Sequence, residues 1–226
     1  MKTPYFTPDT LVEKAQAMKD DLAPLLRDQG AFIPAKSALL ILDMQRYFLE
    51  EDSHAYIPSA EAILPSVDAL RAAYVDAGLP VVWTRHLNTS ADAGSMSRWW
   101  RDLIDAKNPL SEIHSALDTS SGLVIEKTQY DAFYQSNLAE YLRDQNVEQV
   151  VISGVMTHLC CETTARSAFM QGFEVFFLID GTATYNEEHH RATLLNLAHG
   201  FARPVLCEDI ISTTKTQNAQ RKTNES

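Results

Sequence analysis

The stretch QVVISGVMTHLCCETTARSAFMQG, residues 149–172, decides how the rest of the chain is read. It opens on QVVIS, an apolar β-branched run with no polar alternation, the pattern of a strand buried on both faces. GVMTHL then leads into Cys160, where helical spacing begins, and Gly172 follows the end of that helix. A strand that runs straight into a helix is half of a βα unit, and the same rhythm recurs in both directions. Comparable runs stand at SALLIL (37–42), PVVWT (80–84), LVIEK (123–127), EVFFLI (174–179) and PVL (204–206), with helical periodicity between them. The predicted fold class is therefore α/β, a parallel sheet with helices packed on it. Ser59 is placed to cap a helix that runs to Ala77 with Gly78 after it, Ser136 to cap one ending near Asn146, and Gly200 follows another. Pro65 falls inside the first of these helices, where it marks a later start or a kink.

The 226 residues make one full-sized domain with a modest extension. Apolar residues at 45% and charged residues at 22% are the proportions of an ordinary globular protein, which excludes a disordered or fibrous chain. Lys and Arg total 19 against 30 Asp and Glu, a formal charge of −11. Nucleic-acid phosphates and anionic membranes meet net repulsion from such a chain, so neither is an expected partner. Glycines are nowhere closer than nine positions apart, whereas a phosphate-cradling loop needs several close together; the Walker and dinucleotide loops are absent. Cys160, Cys161 and Cys207 are an odd set with an adjacent pair, which favours a reducing compartment. The opening MKTPYFTPDTLVEKAQAMKDD lacks the apolar stretch of a secretory signal, and no apolar run approaches ~18 residues. The chain reads as soluble and cytoplasmic.

Residues 1–36 form an acidic helical extension punctuated by Pro4, Pro8, Pro24 and Pro34, without the βα rhythm. Its Leu11, Val12, Leu22, Leu25 and Leu26 have no core of their own, so packing on the main domain or on a second copy is expected, and with it a homo-oligomer. The main domain occupies residues 37–212. Residues 213–226, TTKTQNAQRKTNES, are polar with no apolar face and read as a disordered tail. The connection over 85–122 is long and holds Arg98, Trp99, Trp100 and Arg101, the composition of a lid or substrate loop.

In an open parallel sheet the ligand crevice lies beyond the carboxyl ends of the strands. There the first strand delivers Asp43, the second Thr84 and His86, the third Lys127, and the fourth Cys160. A thiol at a helix start next to an ammonium is expected to have a lowered pKa, and a neighbouring carboxylate can exchange its proton, the pattern of an activated nucleophile. The blander reading has Asp43 capping a turn, Lys127 solvated and Cys160 as a small core residue.

Three blocks carry a resemblance: LLILDMQRYF around Asp43, VIEKTQYDAFYQSNL around Lys127, and SGVMTHLCCETTARSAFMQGF around Cys160. In order and separation they resemble the motifs of the isochorismatase-like hydrolases, also called cysteine hydrolases, over residues 37 to 212. The resemblance implies a six-stranded parallel sheet with helices on both faces, a three-layer αβα fold, and oligomeric assembly. It implies a triad of Asp43 as general acid/base, Lys127 and the nucleophile Cys160. It also implies a cis peptide bond at Val155–Met156, with the backbone amides of Met156 and Cys160 as an oxyanion hole. Nicotinamidases of the family carry a DxH metal motif after the second strand; TRHLN stands here instead, with His86 and Asn88 at those places, so no metal or other cofactor is expected. Asp52 and His54 form another DxH, expected on a surface loop.

DMQRYF and YDAF followed by SNL are most similar to the siderophore and phenazine isochorismatases, which tend to lack a cysteine at the position of Cys160. His86, Trp99, Trp100, Tyr130, Phe133 and His158 are candidate substrate-binding residues, the aromatic ones equally suited to packing. Cys161 and Cys207 read as core residues, and His189 and His190, adjacent on a helix, face different ways. The expected activity is cleavage of a C–N bond in a small amide or ureide by a Cys-Asp-Lys triad through a thioester. The alternatives are vinyl ether hydrolysis with Asp43 as proton donor, and a catalytically silent binding subunit.

Overall fold

Each apolar run becomes a strand: β1 (Ser37–Leu42), β2 (Val81–His86), β3 (Leu123–Lys127), β4 (Gln149–Val155), β5 (Glu174–Ala183) and β6 (Arg203–Val205). In the computed structural model, which describes residues 1–26 and 30–224, they form one all-parallel sheet in the order β3-β2-β1-β4-β5-β6. Every residue of β1 and β4 is buried, which is why neither run alternates; β3 lies at the edge and exposes Val124 and Glu126. The helices are α1 (Leu11–Leu22), α2 (Arg46–Leu49), α3 (Ala60–Asp76), α4 (Met96–Trp99), α5 (Leu138–Asp144), α6 (Glu162–Met170), α7 (Glu187–Gly200) and α8 (Cys207–Asn224). α3 and α8 pack on each other and on the sheet, while α1, α6 and α7 form a second group against it. This is the expected three-layer α/β fold. α3 starts at Ala60 and passes through Pro65 unbroken. Among the described residues no helix is long and apolar enough to cross a membrane.

The chain winds outward from β1 to β2 and β3, then returns to place β4 on the other side of β1. The carboxyl ends of β1 and β4 therefore flank a topological switch point, where a crevice opens. Gly154 lets these strands approach: it pairs with Leu42, has φ +105, and a Cβ built on it would sit 2.1 Å from the Leu42 carbonyl oxygen.

The extension packs on its own chain. Leu11, Ala15, Met18 and Leu22 of α1 are buried at helical spacing, Tyr5 and Phe6 join the core, and Val12 is left 78% exposed. Its apolar face is spent within the chain, so it no longer argues for a second copy. Ser59 does not cap α3 with its side chain; its Oγ instead accepts from the amides of Tyr5 (2.9 Å) and Phe6 (3.1 Å). Asn137 rather than Ser136 is the cap residue of α5, and Gly200 is the last residue of α7.

The tail corrects the sequence reading, since α8 continues to Asn224; Glu225 and Ser226 lie outside the described residues. Ile210, Ile211 and Thr214 are buried at its start. Farther along, Asn218 Nδ2 and Arg221 Nη2 donate to the carbonyls of Asp76 and Ala77, each at 3.1 Å. These close the C-terminal end of α3, whose carbonyls have no helical partner. A polar sequence without an apolar stripe is thus held by capping another helix.

Gly154→Ala is expected to destabilise the protein by about 3 kcal/mol or more, because the new methyl meets backbone and the φ is left-handed. Urea denaturation of the purified variant, or loss of soluble protein, checks this.

Candidate active site

Asp43 follows β1 with φ +50, a left-handed conformation that costs a non-glycine residue free energy. Its surroundings hold it there. Its N–H is directed at Thr84 O (3.3 Å) and Oγ1 (3.1 Å), its carbonyl accepts from Gln45 N (2.6 Å), and Thr84 Oγ1 donates to its Oδ1 at 2.6 Å. Lys127 ends β3 with its side chain fully buried; its ammonium lies 2.7 Å from Asp43 Oδ2. It also donates to Gln129 O at 2.9 Å and reaches Cys160 Sγ at 3.5 Å. Oδ2 thus faces the ammonium, with the Cys160 thiol as its other neighbour. Cys160 lies in a π-helical turn, Thr157–Cys161, that joins β4 to α6. The Met156 carbonyl accepts from Leu159 N (3.0 Å) and Cys161 N (3.2 Å), and the Val155–Met156 peptide is cis. The structure thus brings Asp43, Lys127 and Cys160 into one buried group at the switch point.

Burial alone would raise the Asp43 carboxyl, but Lys127, His86 and hydrogen bonds hold its pKa below the ordinary 3.8. Burial likewise favours a neutral Lys127, yet Asp43 and Cys160 keep its pKa above 10.5. Both members stay charged. Cys160 behaves otherwise than its position at a helix start implies: burial first, then the Asp43 charge, push its thiol far up, and Lys127 offsets only part of this. The expectation of a lowered thiol pKa is corrected, because Cys160 is only 7% exposed and faces a carboxylate as well as an ammonium. At rest the group is a protonated thiol beside an ionised carboxylate.

Above it opens a narrow cleft walled mainly by apolar and aromatic side chains. Of the residues singled out in the sequence, His86, Trp100, Tyr130, Met156 and Cys160 line it. Trp100 Nε1 donates to the Tyr130 hydroxyl at 2.7 Å, which ties the long loop to the segment after β3. Three candidates do not line it. Trp99 points outward at 78% exposure, Phe133 is buried and stacks on Phe173, and His158 stacks on His189 with centroids 4.4 Å apart while bonding Thr184 Oγ1 at 2.6 Å. Burial and His189 lower the pKa of His158 to about 4, so it is neutral. Sequence reasoning missed Tyr47, His54, Asp102 and Tyr185, which form the outer wall. His54, expected on a surface loop, pairs with Asp102 at 3.3 Å; the only available signal was its place in the loop after β1.

His86 is buried, its pKa is lowered first by burial and then by Lys127, and its Nε2 lies 2.6 Å from Asn88 Oδ1. The Asn88 amide nitrogen donates to Asp92 Oδ1 and Thr128 O. The places of the DxH motif thus hold one imidazole and an engaged amide, and no three His, Cys, Asp or Glu side chains gather as metal ligands among the described residues. This donor set does not fit a resident metal.

The model of the Isochorismatase domain family matches residues 37–209. Nicotinamidase 3 of Arabidopsis thaliana is 43% identical over 77% of this chain and 86% of its own length. The isochorismatase of Bacillus subtilis is 30% identical over 82% of this chain, which spans 60% of that relative. The cysteine hydrolase from Pseudomonas syringae pv. phaseolicola 1448A superimposes with a TM-score of 0.80 at 24% identity, covering 85% of this chain and 98% of the other; that likeness is one of fold. The likeness to isochorismatases read from local motifs is thus exceeded by that to a protein named a nicotinamidase.

Lys127→Met strips Asp43 of its counter-charge and is expected to cost about 3–5 kcal/mol. The depressed Asp43 pKa contributes stability that is present above the unfolded carboxylate value, about 4, and lost as pH falls through the folded value. The variant should lose this contribution and unfold at higher pH on acidification, as read by urea melts from neutral pH downward.

Proposed function

The chain belongs to the isochorismatase family of hydrolases, and we propose that within it the protein cleaves the C–N bond of a small planar amide, with Cys160 as nucleophile. The observation that carries this reading is geometric: one buried ammonium lies 2.7 Å from the Asp43 carboxylate and 3.5 Å from Cys160 Sγ, on the floor of an aromatic cleft. A high thiol pKa is no obstacle when the base stands beside it and takes the proton as the bond forms.

Asp43 accepts the Cys160 proton while Sγ adds to the amide carbon, and the carbonyl electrons move to oxygen. The N–H groups of Met156 and Cys160 receive that oxyanion. The intermediate collapses by breaking the C–N bond, and Asp43 returns the proton to the departing nitrogen, so ammonia or an amine leaves and a thioester remains. Water then gives its proton to Asp43 as it adds to the thioester, and collapse releases the acid and the Cys160 thiolate, which takes the proton back. Lys127 offsets negative charge on whichever of Asp43 and Cys160 carries it.

The walls favour a planar, uncharged substrate. Tyr47, Trp100, Tyr130 and Tyr185 face the cleft, and among the described residues no Lys or Arg lines it. An aromatic carboxamide of the nicotinamide kind fits this lining and agrees with the name of the 43%-identical relative; small ureides share the same chemistry. Vinyl ether hydrolysis of isochorismate would need a protonated carboxyl at rest and cations for two substrate carboxylates, and the site favours neither. The homo-oligomer remains part of the proposal through family membership alone.

Cys160→Ala is expected to abolish release of ammonia from nicotinamide, and Asp43→Asn to lower kcat by about 10²–10⁴-fold. Most of the activity surviving in Cys160→Ala, with loss in Asp43→Asn, would instead favour proton-transfer chemistry, and isochorismate would then be the substrate to assay.

A further inference from the structure

Residues 1–6 precede the matched domain, yet they run across the outer wall of the cleft. Thr3 N donates to Tyr185 O at 2.8 Å, and Asn186 Nδ2 donates to Met1 O at 3.2 Å. The Lys2 ammonium sits over the Tyr185 ring, 4.4 Å from its centroid, and donates to the carbonyl of His54. Tyr185 and His54 are both cleft-lining residues, and they come from distant parts of the chain, the β5–α7 and α2–α3 connections. Lys2 touches both. Three residues on, the amides of Tyr5 and Phe6 fasten to Ser59 Oγ at the start of α3.

The inner end of this segment reaches the nucleophile turn. The buried Tyr5 hydroxyl accepts from Thr184 N at 3.1 Å and lies 2.9 Å from His190 Nδ1. Thr157 Oγ1, in the turn that carries Cys160, lies 3.1 Å from the same nitrogen. Burial holds the His190 pKa down to about 3, so the ring is neutral and the three side chains meet at Nδ1.

From these contacts we infer that residues 2–6 are a strap that fixes the width of the cleft mouth, with Lys2 as a positioning residue that pins the His54 lip to the Tyr185 lip and thereby limits the size of molecule admitted to Cys160. The physical case is one of connectivity. The two lips are surface loops on separate elements, and nothing covalent near the cleft joins them. A cation between a carbonyl and an aromatic face joins both at once, and the backbone bonds of Thr3, Tyr5 and Phe6 hold the cation in place. The inference deepens the proposed amidase reading by adding a size filter to its cleft, and its central measurement does not depend on that reading.

The test compares full-length protein with Lys2→Ala, Lys2→Arg and a variant lacking Lys2–Pro4. Cys160 is alkylated in each with iodoacetamide and with fluorescein maleimide, and site-resolved mass spectrometry gives both rates at all three cysteines. In Lys2→Ala and the deletion, the ratio of bulky to small reagent rates at Cys160 should rise about fivefold. Lys2→Arg should restore the native ratio, and Cys161 and Cys207 should stay as slow as in the native protein. KM for nicotinamide should rise with the same order among the variants, by more than kcat falls. A Cys160 ratio unchanged in both Lys2→Ala and the deletion overturns the inference. So does acceleration of all three cysteines together, which would mark the segment as general structural support. If the native protein turns over no amide, the functional reading fails while the alkylation ratios still decide the strap.

Discussion

An ammonium and a carboxylate 2.7 Å apart, both stripped of water, make the most demanding interaction in this protein. Removing each charge from solvent costs several kcal/mol, and only close placement with further hydrogen bonds offsets the cost. Lys127 reaches Asp43 from β3, two strands away across the sheet, so the pair exists only if β1, β2 and β3 hold their register. Thr84 on the intervening strand donates to the other carboxylate oxygen, and Gln45 ties the end of β2 to the long loop through His86 and Ser111. The sheet thus serves as the rigid frame that makes two buried charges tolerable.

The same frame bears local strain. Asp43 takes a left-handed backbone next to Gly154, whose absent side chain allows β4 to close on Leu42. Strain of this kind persists where the surroundings over-determine it. Here the neighbours of Asp43 form a nearly complete set of hydrogen bonds, and the result is a carboxylate directed at Cys160 across the switch point. The chemistry follows from the balance of two opposed fields: Lys127 keeps Asp43 ionised, while burial and Asp43 keep the thiol protonated.

Around this rigid floor the walls are made of loops, and the N-terminal segment lies against two of them. Trp100 leans on Tyr130, His54 on Asp102, and Lys2 on both lips. In the proposed reading the floor sets the chemistry and the walls set what is admitted, a division that lets one fold serve different substrates.

The sequence by itself determined the sheet, because unbroken apolar runs separated by helical spacing have few other ways to bury themselves. Strand order brought Asp43, Lys127 and Cys160 to one edge but left a solvated Lys127 and a core Cys160 equally open; the three motif blocks, by resemblance, pointed to one group. Only the tertiary structure decided the thiol's protonation, which depends on burial and on a carboxylate far away in sequence. It likewise decided the cleft walls: Trp99 and Trp100 are adjacent and alike in composition, yet a turn at the end of α4 sends one to solvent and the other to Tyr130. The tail shows the same division. Residues 213–224 have no apolar stripe to announce a helix, and their order comes from the free carbonyls of α3, which exist as partners only once the chain has folded.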